Sequence, residues 1–120
     1  MADKIIALIT DMFFAAKLEE TAKQLGVPLV TVGSADLLLS ESRKESPRLV
    51  IIDLNYDAVK STEAIHAVKQ ACSPNRVRVL AFLSHVQTEL AESARRAGAD
   101  AVVPRSYFSR NLAEILKGNF

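Results

Sequence analysis

One cysteine in 120 residues excludes an internal disulfide, and the spacing of Cys72 from Ile65 and Val68 on a helix marks it as a small core residue in a reducing compartment. Long apolar runs are missing as well. The longest cover a few residues, far short of a bilayer span, and the opening stretch MADKIIALITD reaches an acid too soon for a signal peptide, so the expected location is the cytoplasm, with no membrane partner. Charge of one sign is lacking too: 15 basic against 14 acidic side chains leave +1, which argues against a non-specific nucleic-acid binder. No linker, repeat or low-complexity tract interrupts the chain, and it contains no Gly-rich phosphate loop, Walker sequence, CxxC or GxSxG. What is left is one domain over residues 1–120, 49% hydrophobic and able to fill one core, with little to suggest a nucleotide enzyme.

Two kinds of segment alternate along the chain. The short apolar runs KIIALIT (4–10), PLVTV (28–32), RLVIID (48–53), VRVLAFL (77–83) and DAVVP (100–104) have the length and β-branched content of strands buried on both faces. Between them, apolar residues recur at helical spacing: Phe14, Leu18, Ala22 and Leu25; Ile65, Val68 and Cys72; Leu90, Ala94 and Ala97; Phe108, Leu112 and Ile115. The segment 34–46 supplies a further helix, with Ser34 as its N-cap and Leu37 to Leu39 within it. Gly26 and Gly98 fall just past their helices, and Pro28, Pro47 and Pro74 punctuate the connections. Five strands alternating with five helices predict right-handed crossovers and a doubly wound parallel α/β sheet covered on both faces.

Ligands of such sheets sit outside the carboxyl ends of the strands, where strand order reverses. The first strand ends in Thr10 and Asp11, the third in Asp53 with Asn55 just beyond, the fourth in Leu83, Ser84 and His85, and the fifth in Pro104, Arg105 and Ser106. Two carboxylates, a hydroxyl and a cation therefore converge on one sheet edge. Charge is also uneven along the chain: residues 1–60 hold 7 basic and 9 acidic groups, residues 61–120 hold 8 and 5, and much of the second half's excess is Arg95, Arg96, Arg105 and Arg110.

Over essentially its whole length this arrangement resembles the receiver domain of bacterial two-component response regulators. IIALITDM stands where that family has a strand followed by acids, RLVIID matches the phosphoacceptor strand, VRVLAFLSH the strand that ends in a hydroxyl, and RRAGADAVVPRSYF the segment leading to a lysine. The resemblance implies a CheY-like, flavodoxin-like topology with strand order 2-1-3-4-5. It implies that Asp53 holds the phosphoacceptor position, and that Asp11, Asp53 and the carbonyl of Asn55 are the magnesium ligands. Hard oxygen donors of this kind suit magnesium, and a carboxylate can act as the nucleophile towards a phosphoryl group when nearby cations stabilise the transferring charge.

Several signature positions depart from the pattern. Thr10 replaces the first acid of the usual pair, so magnesium binding is expected to be weak or absent. The switch hydroxyl position carries Leu83, with Ser84 one residue later, where strand alternation points it to the other face unless the strand end bulges. Arg105 replaces the lysine and is longer and planar. Val102 takes the aromatic switch position, and Tyr107 is misplaced for that role. Asp53 has a bland role open to it as a helix cap or as the ion-pair partner of Arg105, and Asp11 can cap the first helix. His85 and His66 are read as inert; Tyr56, Phe13 and Tyr107 as core or rim groups.

The expected function is a stand-alone, non-enzymatic receiver-like module with a modified phosphoacceptor pocket, acting by protein–protein contact with a kinase or downstream effector. No output domain is expected after Phe120. Its partner face, or a homodimer contact, is expected on helix 4, strand 5 and helix 5, with Arg95, Arg96 and Arg110. The alternatives are a working single-domain response regulator phosphorylated on Asp53 with magnesium, and a flavodoxin-like small-ligand binder.

Overall fold

The apolar runs become a sheet because each offers two buried faces. In a computed structural model, which describes residues 4–55, 57–72, 77–84 and 88–120, the strands are β1 (Ile5–Leu8), β2 (Leu29–Val32), β3 (Leu49–Asp53), β4 (Arg78–Leu83) and β5 (Ala101–Pro104). Tyr56, Pro74 and His85 lie outside the described residues. All pairings are parallel, as the alternation of strands and helices predicts, and the order β2-β1-β3-β4-β5 is the one implied by the resemblance to receiver domains. The registers set Ile5 beside Leu49, Leu49 beside Arg78 and Leu80 beside Ala101.

Strand alternation sorts the core into two layers. Ile5, Ala7, Leu49, Ile51, Leu80 and Phe82 point to one face. There they meet Phe14, Leu18 and Ala22 of α1 (Met12–Leu25), Phe108 of α5 (Arg105–Arg110), and Leu112, Ile115 and Leu116 of α6 (Leu112–Leu116). Ile6, Leu8, Val50, Ile52, Val79, Ala81 and Leu83 point to the other. They meet Leu38 of α2 (Ala35–Lys44), Ala64, Ile65 and Val68 of α3 (Ala58–Ala71) and Ala94 of α4 (Thr88–Ala97). Each fully buried Leu, Ile or Phe side chain contributes about 1.5–3 kcal/mol of transfer free energy. Cys72, 2% exposed, packs in the second layer as a core residue.

The helix ends follow local chemistry. The Ser34 hydroxyl accepts the Leu37 amide at the start of α2, and Gly26 takes the left-handed conformation that ends α1, at φ 70°. The fifth helix of the sequence reading is corrected in one respect: it is interrupted at Asn111, giving α5 and α6, six helical segments among the described residues. The Asn111 side-chain amide donates to the Tyr107 carbonyl, the local competition with helix hydrogen bonding that asparagine favours. The strands are also shorter than predicted, although flanking residues still hydrogen-bond across the sheet, as the Ile9 amide does to the Val32 carbonyl and the Arg48 amide to the Lys4 carbonyl. Beyond β4, Asp100 accepts both the Lys69 ammonium at 2.8 Å and the Val79 amide at 2.7 Å, tying α3 to the β4–β5 connection.

Candidate functional site

The chain reverses its order around β1: β2 lies on one side and β3 on the other, which opens a crevice above the carboxyl ends of β1 and β3. Asp11 follows β1 and Asp53 closes β3, so topology alone brings the two acids to the same rim.

Asp11 caps α1. One carboxylate oxygen accepts the amides of Phe13 at 2.9 Å and Phe14 at 3.2 Å; the other accepts Nη2 of Arg105 at 2.5 Å. The Phe14 amide and then the Arg105 guanidinium hold its carboxyl below the ordinary 3.8. Arg105 is fixed from a second side, because its Cζ sits 4.4 Å from the centre of the Phe14 ring. The ion pair with Asp53, one of the bland roles open to that acid, is not the one formed: among the described residues the ion pair of Arg105 is with Asp11. The reason is spacing. Phe14 and Phe108 lie three residues after Asp11 and Arg105, one helical turn on, and their edge-to-face packing at 5.4 Å draws the two chain segments together.

Asp53 is 6% exposed and accepts the Asn55 amide at 2.8 Å. Burial raises its carboxyl above 3.8; the nearby charge of Asp11 adds to that rise, while the Asn55 amide and Arg105 oppose it. The backbone carbonyl of Asp53 accepts the hydroxyl of the fully buried Ser61 at 3.1 Å, locking the strand end onto α3. Asp53 does not cap that helix. Asp57 does, accepting the Lys60 amide at 3.0 Å.

At the end of β4, Leu83 is 4% exposed and belongs to the core layer shared with α3 and α4. Ser84 is exposed, and its amide donates to the side-chain oxygen of Asn55 at 2.6 Å. The asparagine side chain thus links the β3 and β4 loops, a role that linear spacing offers no means to assign. Thr10 is exposed at the rim. Val102 is half-buried on β5, Tyr107 is 37% exposed, and Phe13, expected as a core or rim group, is 90% exposed beside Met12 at 82%. Arg95, Arg96 and Arg110 are all exposed, on α4 and α5, which lie on opposite faces of the sheet beside the edge strand β5.

Whether the donors suit magnesium depends on what already engages them. Magnesium wants short, near-octahedral oxygen contacts. Both oxygens of Asp11 are already engaged, one by amides and one by a cation, and Asp53 gives one of its own to the Asn55 amide. Among the described residues no group of three or more His, Cys, Asp or Glu is gathered to hold a metal. As arranged, the set does not fit the ion.

No protein-family profile matches the sequence, and no curated protein is significantly similar to it. Solved structures share its fold at low identity. Chemotaxis protein CheY4 of Vibrio cholerae superposes with a TM-score of 0.84 at 16% identity over 100% of both chains. The signal receiver domain of a response regulator from Bermanella marisrubri gives 0.82 at 16% identity over 98% of each. A response regulator of Burkholderia pseudomallei bearing a phosphorylated aspartic acid and a calcium ion gives 0.77 at 17% identity, over 97% of this chain and 72% of that one. The chain has the fold of response-regulator receiver domains.

Proposed function

We propose that the protein is a cytoplasmic signal-receiver module with a modified phosphoacceptor pocket, working through protein–protein contact and without a substrate of its own. The observation that carries this reading is the strand-end pocket itself. A buried carboxylate, Asp53, stands at the switch point of a receiver fold, while the residues around it are committed elsewhere: Asp11 to Arg105 and a helix cap, Leu83 to the core. A pocket of this make-up retains the charge and position of an acceptor. It offers no hydroxyl at the Leu83 position to follow a phosphoryl oxygen.

Signalling is then assigned to surface contact on α4, β5 and α5, where Arg95, Arg96 and Arg110 stand exposed. Basic side chains on a rim steer an acidic partner and lose strength as salt rises. Arg95→Glu with Arg96→Glu is expected to leave the fold intact and weaken capture of that partner, most at low salt. Treatment with acetyl phosphate separates the two receiver readings. No stable phosphoryl group on Asp53 and no shift in β4 or α4 amides is the expected result; a modified Asp53 with shifts along both elements overturns the modified-pocket reading in favour of a working single-domain response regulator. The Burkholderia relative, with its phosphorylated aspartic acid, shows that the fold supports that chemistry in another protein.

A further inference from the structure

We propose that the Arg105 guanidinium is a resident cation of the strand-end carboxylates, standing where a divalent ion would otherwise bind, and that its removal opens a magnesium site between Asp11 and Asp53. The inference concerns the cation chemistry of the pocket and stands whether or not the protein receives a phosphoryl group.

Three observations carry it. First, Arg105 takes the Asp11 oxygen that the helix cap leaves over. Second, the guanidinium is not a loose surface charge: the Phe14 ring stacks on it at 4.4 Å, and Phe14 is 8% exposed and packed against Phe82 and Phe108. A planar group held between a ring and a carboxylate is pre-set in place and gives up little freedom on pairing. Third, the charges close differently with and without it. Two carboxylates and one guanidinium leave a single negative charge; a divalent ion entering beside Arg105 would create a net positive pocket with two cations in mutual repulsion. Without Arg105 the two carboxylates neutralise a divalent ion. Thr10, exposed at the rim, brings a hydroxyl and no further negative charge to offset a second cation.

Magnesium titration followed by amide NMR tests this on the intact chain. In the parent protein the amides of Asp11, Asp53 and Asn55 should show no saturable shift. Arg105→Ala and Arg105→Met should bind magnesium at these amides with an apparent affinity at least about tenfold higher, about 1.4 kcal/mol. Arg105→Met keeps an apolar stem against Phe14 and so preserves the fold if Arg105→Ala does not. Adding Asp53→Asn to Arg105→Met should abolish the gain. Saturable magnesium binding by the parent at these amides, folded variants that gain nothing, or a gain that survives Asp53→Asn each overturn the proposal. None of these readings depends on acetyl phosphate or on a partner, so the cation result and the receiver result fail independently.

Discussion

Leu83 is the position where the pocket and the core compete for one side chain, and a pair of isosteric substitutions reads which has it. Leu83 is 4% exposed and shares a layer with Leu54, Ala81 and Val102. Leu83→Val removes one methylene, about 0.8 kcal/mol of transfer free energy, and a small residual cavity brings the cost to about 1 kcal/mol. Leu83→Thr has the shape of valine but buries a hydroxyl among apolar neighbours; an unpartnered hydroxyl adds about 1–3 kcal/mol, for a total of about 2–4 kcal/mol. A domain of this size has about 5–15 kcal/mol to lose, so both variants stay folded. Urea denaturation followed by circular dichroism measures the two midpoints, and unchanged slopes license the comparison. If threonine and valine fall within about 0.3 kcal/mol of each other, the hydroxyl has found water or a polar group. The end of β4 would then face the pocket, and the argument for a missing switch would fail.

Asp53→Asn tests the buried acid. Because burial raises its pKa above 3.8, the folded protein holds that proton more tightly than the unfolded chain, and ionising the group costs stability. The cost is absent below 3.8, grows as the pH rises through the raised value, and persists at neutral pH. The variant should therefore be the more stable protein at pH 7, with an advantage that vanishes on acidification; an advantage that is constant or grows towards low pH refutes the assignment. Phe108→Ala, which removes a fully buried ring stacked 4.4 Å from Phe82, should cost about 3–5 kcal/mol by the same urea assay, and a loss under about 1.5 kcal/mol would contradict the packing. Gly98→Ala places a side chain at φ 123° with its Cβ 3.0 Å from Lys69 Cγ, so it should destabilise by at least about 1 kcal/mol. A neutral Gly98→Ala would mean that the turn relaxes freely.

The fold was readable because periodicity reports burial directly. Unbroken runs such as Leu49 to Ile52 have no polar face, which only a sheet covered on both sides accommodates, and Ser34 and Gly26 announced a helix start and a helix end through their own backbone chemistry. The interruption at Asn111 leaves no mark in the periodicity, because the stripe Phe108, Leu112 and Ile115 runs unbroken through it. At the site, the sequence places Asp11, Asp53, Leu83, Ser84 and Arg105 on one rim and leaves the partner of Arg105 open. Linear spacing shows which charges share an edge. It does not show which acid wins a guanidinium when a ring such as Phe14 chooses the side on which the guanidinium lies.

The three phenylalanines have a consequence for how the molecule opens. Phe82 and Phe108 are stacked at 5° between planes, and Phe14 meets both edge-on. Each adjoins one wall of the pocket: Phe14 follows Asp11 by a helical turn, Phe108 follows Arg105 by another, and Phe82 is the register partner of Asp53. Loosening α5 would pull Phe108 off Phe82 and expose the edge of Phe14, so the last helices, the first helix and the fourth strand are expected to open as one unit in hydrogen exchange. The amides of Phe82 and Asp53, register partners beneath the pocket, are expected to exchange together and at the rate of global unfolding, which hydrogen-exchange NMR checks.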